Sequence, residues 1–242
     1  MKKIIILITA SLMSIGLFAQ SAGEGSFTTL HIKAKNPNQY TDFLKQNAKQ
    51  IFKATNPDAA GVCITTSGNN YPGEMFVWSA FSSVEAAFTQ SQGYDVYNVS
   101  KELEALREVV YNVTWKPIKG FELDPGYERV TRVRVSAANL AAYIEAGTKM
   151  EAAIQKAGHD FKLGIMQPLG GGSYETGTLL VRGISRTATD VGKLVDEYFA
   201  GAKWAASYNA FIALQDEVVH DSYEQCEQIY TANIFYILRR NK

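Results

Sequence analysis

The chain has 242 residues, with 24 lysines and arginines balancing 24 aspartates and glutamates, two cysteines, and 12% aromatic residues. That balance gives no electrostatic reason to expect nucleic acid or an anionic membrane surface as a partner, and two cysteines exclude a disulfide-rich scaffold. The length suits one large domain or two small ones with a sizeable core.

Lys2 and Lys3 precede an apolar run at 4–8 that continues to Phe18, followed by small and polar residues. The pattern predicts a secretory signal peptide over 1–19 rather than a membrane anchor. Thr9, Ser11, Ser14 and Gly16 interrupt its apolar core, so no membrane span is expected. Its removal leaves 22 basic residues against 24 acidic ones, a net charge of −2. The expected location is periplasmic or secreted.

The first element, "FTTLHIKA" (27–34), alternates with period two and reads as a strand. "NPNQY" opens an amphipathic helix in which Tyr40, Phe43, Leu44, Ala48, Ile51 and Phe52 recur every three or four residues. Two apolar runs follow, "GVCITT" and "EMFVWSAF", joined by the turn "SGNNY". Helical material over "SVEAAFTQS" and "VSKELEALREVV" leads to a closing strand, "YNVTWKPI". A linker rich in proline and glycine spans 117–127, between a first unit at 20–116 and a second at 128–242.

The second unit repeats the first at an offset of 103 residues. Ala34 meets Ala137, Tyr40 meets Tyr143, Gly61 meets Gly164 and Tyr71 meets Tyr174. "VTRVRVSA" is its first strand, and Leu140, Tyr143, Ile144, Gly147, Met150 and Ile154 form its helix face. "LGIMQPL" and "TLLVRGI" form its hairpin. "ATDVGKLVDEYF" and "KWAASYNAFIALQDEVV" are its helical material, and "YTANIFYIL" its last strand. The glycines of "LGGGSY" resemble a phosphate loop, yet no helix bearing Lys-Ser or Lys-Thr follows them. They align with "SGNNY" and read as a turn needing positive φ.

The order βαββαβ, twice, defines the fold class: α+β, two tandem ferredoxin-like repeats forming an intramolecular α+β barrel. The two sheets close face to face, with helices outside. In element order, repeat and length, about residues 27 to 238 resemble the dimeric α+β barrel superfamily in its fused form. Chlorite dismutases, dye-decolorising peroxidases, antibiotic-biosynthesis-type monooxygenases and NIPSNAP-like proteins share that architecture.

In each first strand the apolar face packs on helices, leaving Thr29, His31 and Lys33, and Arg132, Arg134 and Ser136, directed into the barrel. His31 and Arg134 occupy equivalent repeat positions. Two arginines and a histidine in a closed space make an anion site, since guanidinium cannot deprotonate. His31, its pKa lowered by cationic neighbours, is then a neutral acid/base candidate. Arg182 adds a cation, and Trp78, Tyr111, Tyr230 and Phe76 supply apolar walls. The chain so read is an enzyme or binder of a small organic anion, with its pocket between the sheets. The competing reading pairs the arginines with glutamates such as Glu145 or Glu175, fills the core with the aromatics, and leaves an exported module binding a protein on its outer surface.

His159 and His220 each precede an aspartate, but lack the ligand spacing of a metal site, so no metal is expected. No other cofactor is indicated by the residues. The resemblance to chlorite dismutases implies haem, with His159 or His220 opposite Arg182. Cys63, in the second strand of one half, and Cys226, near the last strand of the other, meet across the seam in the barrel topology and can form a bridge. Assembly of such chains into a higher oligomer is compatible with the fold.

Overall fold

A computed structural model describes residues 25–232; the signal peptide expected over 1–19 lies outside them. The first half runs β1 (Ser26–Ala34), α1 (Pro37–Ile51), β2 (Ala59–Ser67), β3 (Glu74–Phe81), α2 (Val84–Ser91), α3 (Lys101–Leu106) and β4 (Arg107–Lys119). The second runs β5 (Tyr127–Arg134), α4 (Leu140–Lys156), β6 (Phe161–Leu169), α5 (Gly172–Glu175), β7 (Leu179–Ser185), α6 (Ala188–Phe199), α7 (Ala205–Ile212) and β8 (Glu217–Thr231).

All eight strands pair antiparallel in one closed ring, β1-β3-β2-β8-β5-β7-β6-β4. Each half contributes four consecutive strands, and the seams are β2 with β8 and β4 with β6. The α+β barrel expected from the repeat is the fold observed.

Local chemistry explains the elements. Asn36 caps α1 by accepting from the Gln39 N–H, with Pro37 pre-set at the first turn. Its buried face is Tyr40, Thr41, Leu44 and Ala48, and α4 buries Tyr143, Gly147, Met150 and Ile154, of which Tyr143 and Gly147 match Tyr40 and Leu44 in the repeat. Outward residues of the strands, such as Ile32, Val62 and Met75, or Val133, Leu163 and Ile165, pack under these helices. Inward residues, such as Trp78, Phe76, Trp115 and Leu180, fill the barrel.

Three expectations are revised. Residues 107–110, read as helix, are strand, because from Arg107 onward the chain pairs with Ala34, Lys33 and Ile32 of β1. The last strand begins at Glu217 rather than at Tyr230, and α7 stops at Ile212. Its inward positions, including Glu224 and Ser222, are polar, so β8 lacks the apolar pattern by which a strand is recognised. Residues 233–238, which carried most of the expected strand, lie outside the described segment. The glycine loop holds positive φ at Gly170, Gly171 and Gly172 (111°, 90° and 59°), but it then makes the single helical turn α5 instead of entering a strand.

The linker, 120–126 between the strand ends, closes one mouth of the barrel. Phe121 stacks on Phe27 at 5.9 Å, and Leu123 packs against the cluster containing Trp78. Among the described residues no helix is long and apolar enough to cross a membrane.

Cys63 and Cys226 face each other in the β2–β8 seam and form a disulfide. The bond encloses 163 residues of sequence separation, so it should restrict the unfolded chain by about 4–5 kcal/mol in the loop-entropy picture. Replacing both cysteines by serine is expected to lower unfolding free energy by about 2–5 kcal/mol, measured by denaturant titration of oxidised protein. A loss below about 1 kcal/mol would show that the seam is held by its hydrogen bonds and packing alone.

Candidate functional site

Six of the sequence-selected residues converge inside the barrel: His31, Phe76, Trp78, Tyr111, Arg132 and Arg182. Arg182, nearly fully buried, donates to Glu128 at 2.7 Å and to Glu224 at 2.8 Å, and its guanidinium lies 3.2 Å from the Cys226 sulfur. It also sits over the Phe76 ring. Arg132 grips the fully buried Glu175 through Nε and Nη2, and donates at 3.0 Å to the Tyr111 hydroxyl. Tyr111 in turn donates to Glu175 at 2.6 Å.

His31 is stacked between Tyr111, at 4.1 Å, and Phe76, at 5.0 Å. Its Nε2 lies 3.0 Å from Thr29 Oγ1, which accepts from Trp115 Nε1 at 2.9 Å. A neutral ring with its lone pair on Nε2 satisfies that chain, because the threonine has one proton to give. Burial, then the charges of Arg132 and Arg182, hold the His31 pKa well below its ordinary value. Burial raises that of Glu128 against the pull of Arg182.

This cluster is closed on itself. Both arginines have carboxylate partners, and the void beside Trp78 and Arg182 measures only about 40 Å³, room for water but not for an organic ligand. The Arg132–Glu175 pair is the one weighed as the competing reading of the sequence, whereas Glu145 pairs with Lys149.

Two selected residues lie elsewhere. Arg134 is at the barrel rim, half exposed and paired with Glu217 at 2.7 Å. It is the last residue of β5, and the ladder shift that follows His31 in β1 follows Arg132 in β5, so its repeat equivalence to His31 does not become a shared position. Tyr230 packs on Phe52 beneath α1. The β2–β8 register shifts between Ala60 and Gly61, pairing Tyr230 with the outward Ala60.

The sequence reading passed over a different place. Between α1 and the outer face of the first sheet lies a cavity of about 190 Å³. Leu30, Leu44, Ile51, Phe52 and Val77 make its apolar wall, and Tyr40, Tyr94 and Arg107 its polar end. Arg107, 8% exposed, donates to the Tyr40 hydroxyl and to the Tyr94 hydroxyl, each at 2.9 Å. Among the described residues it has no carboxylate partner. Tyr40 is raised to about 12 by burial, so its hydroxyl keeps its proton at neutral pH.

Among the described residues, the corresponding space of the second half is filled by side chains. Gly147 stands where the first half has Leu44, and a Cβ there would press on Leu163 and Phe211. Phe211 of α7 stacks on Tyr143 at 4.3 Å, and Trp204 joins the same cluster. Gln215, a neutral donor, reaches the Tyr143 hydroxyl as Arg107 reaches that of Tyr40. The signal available in sequence was this break in the repeat, visible only after the strands are aligned.

Haem, implied by the resemblance to chlorite dismutases, does not fit. Neither cavity is lined by a histidine, His159 is paired with Glu197, and 190 Å³ is below the range of about 300–1,000 Å³ typical of drug-sized ligands.

No family model and no curated protein matches the sequence. Solved structures do match it. An anthrone oxidase-like protein aligns at TM-score 0.53 and 10% identity, over 87% of this chain and 97% of its own. A putative monooxygenase from Lactobacillus acidophilus NCFM aligns at 0.54 and 8%, over 86% and 95%. A mutant chlorite dismutase from Candidatus Nitrospira defluvii in complex with cyanide aligns at 0.53 and 7%, over 86% and 92%. At such identities the likeness is one of fold, that of the α+β barrel proteins.

The His31 environment has a pH consequence. Its folded pKa lies below the unfolded value, so the unfolded chain takes the proton first, and stability falls as pH drops below about 6.5. His31→Gln should remove a slope of up to about 1.4 kcal/mol per pH unit from the stability profile between pH 6.5 and 5, measured by urea titrations across that window. Identical slopes in both proteins would mean that the ring is protonated in the fold.

Proposed function

We propose that this is an exported small-molecule-binding protein whose ligand occupies the cavity between α1 and the first sheet, rather than the space between the two sheets. The observation that carries this reading is the asymmetry of the halves. One repeat is packed shut by Phe211, Trp204 and Leu163, while the other keeps about 190 Å³ open beside a buried arginine. An empty cavity of that size forgoes on the order of 4 kcal/mol of packing, at about 24 cal/mol per Å³. A fold that can close the space in one copy and leaves it open in the other has a use for it.

A cavity with an apolar wall, neutral polar groups and Arg107 as its single charge suits a small, mainly apolar organic molecule with one anionic end. The signal-like N-terminal sequence and the disulfide support export, because disulfides persist in oxidising compartments. The anthrone oxidase-like and monooxygenase neighbours are consistent with organic ligands on this fold. An enzymatic step is not part of the reading, since no nucleophile or general base with a partner lines the cavity.

Leu44→Trp is expected to fill the cavity while leaving the barrel intact. In the wild-type protein, bound ligand at a hundredfold its Kd stabilises the fold by about 2.7 kcal/mol. A thermal-shift series with 1-octanol, indole and octanoate should show stabilisation in the wild-type protein and little or none in Leu44→Trp. Equal shifts in both proteins, or none in either, would exclude the cavity as the binding site.

A further inference from the structure

We infer that the cavity takes a monocarboxylate of modest size, bound head-first by Arg107, Tyr40 and Tyr94. The inference rests on the cavity reading above and specifies the chemistry of its occupant.

The polar end is a set of donors without an acceptor. Each tyrosine hydroxyl receives an N–H of Arg107 on its oxygen, at 2.9 Å. Its own proton must then point elsewhere, and among the described residues neither hydroxyl has an acceptor. A guanidinium keeps its charge at any ordinary pH. Buried without a carboxylate, it bears a desolvation cost that an incoming anion relieves. One cation and two phenolic O–H groups around a cavity end match the two oxygens of a carboxylate, each able to accept more than one hydrogen bond.

Charge fixes the valence. Arg107 is the only charged side chain lining the cavity, so a second negative charge would be buried without a partner. Dicarboxylates and phosphate dianions are thereby disfavoured. Leu30, Leu44, Ile51, Phe52 and Val77 give a tail an apolar wall, and the neutral polar groups that also line the cavity, on Thr28, Thr55, Ser79, Ser91, Asn112 and Thr114, carry no charge. An engineered void of about 150 Å³ holds benzene, so about 190 Å³ corresponds to a ligand on the order of eight to ten non-hydrogen atoms. Octanoate, with ten, has that size, and 3-phenylpropionate, with eleven, tests its upper limit.

The other repeat shows what the site looks like without this role. Gln215 makes the same contact to Tyr143 with a neutral amide, and ring carbons of Phe211 take the place of a tail. The charge at Arg107 is therefore not needed to hold the tyrosine.

The test is calorimetric titration of the full chain with octanoate and 3-phenylpropionate, their neutral amides, and octanedioate. The carboxylates should bind on the order of tenfold or more tightly than the amides, as expected for charge-assisted hydrogen bonds, with octanedioate weaker than octanoate. Arg107→Gln should erase the preference and keep amide binding. Should that variant fail to fold, Tyr94→Phe should weaken carboxylates by about fivefold and leave amides unchanged. Amide binding equal to carboxylate binding, abolished by Leu44→Trp, would overturn the carboxylate inference while keeping the cavity as the site. Binding of no probe would overturn both.

Discussion

Closure of eight strands into one ring is the constraint from which the rest follows. With β2 joined to β8 and β4 to β6, every inward side chain of both repeats shares one narrow space. Charges there are largely removed from bulk water and have to be compensated by one another. Arg182 lies between Glu128 and Glu224, and Arg132 holds Glu175. Two cations face three carboxylates, and burial raises the pKa of Glu128 against the pull of Arg182. His31 stays neutral among them. A lumen satisfied in this way specifies how the halves dock, and leaves nothing over for a ligand anion.

The larger cavity lies instead in the outer layer, where helices cover the sheet. There the two repeats differ by a few substitutions with large volume effects. Gly147 in place of Leu44 allows Leu163 and Phe211 to approach α4, and α7 supplies Trp204 and Phe211 to complete a twelve-residue cluster. The first half has in place of α7 only the shorter α3, which brings Leu103 to the cluster around Leu44. Its chain passes through an irregular segment carrying Tyr94 and Val96, which Arg107 ties down. One copy became a packed support and the other a receptacle, on the same backbone plan.

The fold was legible because its evidence is periodic. Alternation in "FTTLHIKA", three-and-four spacing from Tyr40 to Phe52, and a constant offset of 103 residues all follow from backbone geometry. The seam position of Cys63 and Cys226 also follows from strand order. What was not legible depends on single-residue shifts. A bulge in the β2–β8 ladder sends Tyr230 to the helix side, β5 ends at Arg134 and leaves it at the rim, and no pattern in the sequence marks either. β8 escaped recognition because its inward face carries Glu224 and Ser222 for the lumen network rather than apolar side chains. Arg107 escaped because it sits at the junction of α3 and β4 in a run that reads as one helix. Its significance depends on Tyr40, 67 positions earlier.

The division of labour has an energetic logic. A cavity and an uncompensated guanidinium both weaken the half that contains them, and neither can be relaxed away, since arginine does not deprotonate and Leu44 and Phe52 cannot fill the gap. Stability has to come from parts that do not touch the ligand. The packed second half, the buried ion pairs of the lumen and the disulfide across the seam are such parts, and all lie away from the polar end of the cavity. The disulfide joins the hollow half to the packed half at β2, the strand farthest from β4 within the first sheet. Loosening around Arg107, at the start of β4, can then follow ligand entry without opening the ring, because β1 and the closed lumen stand between the two places.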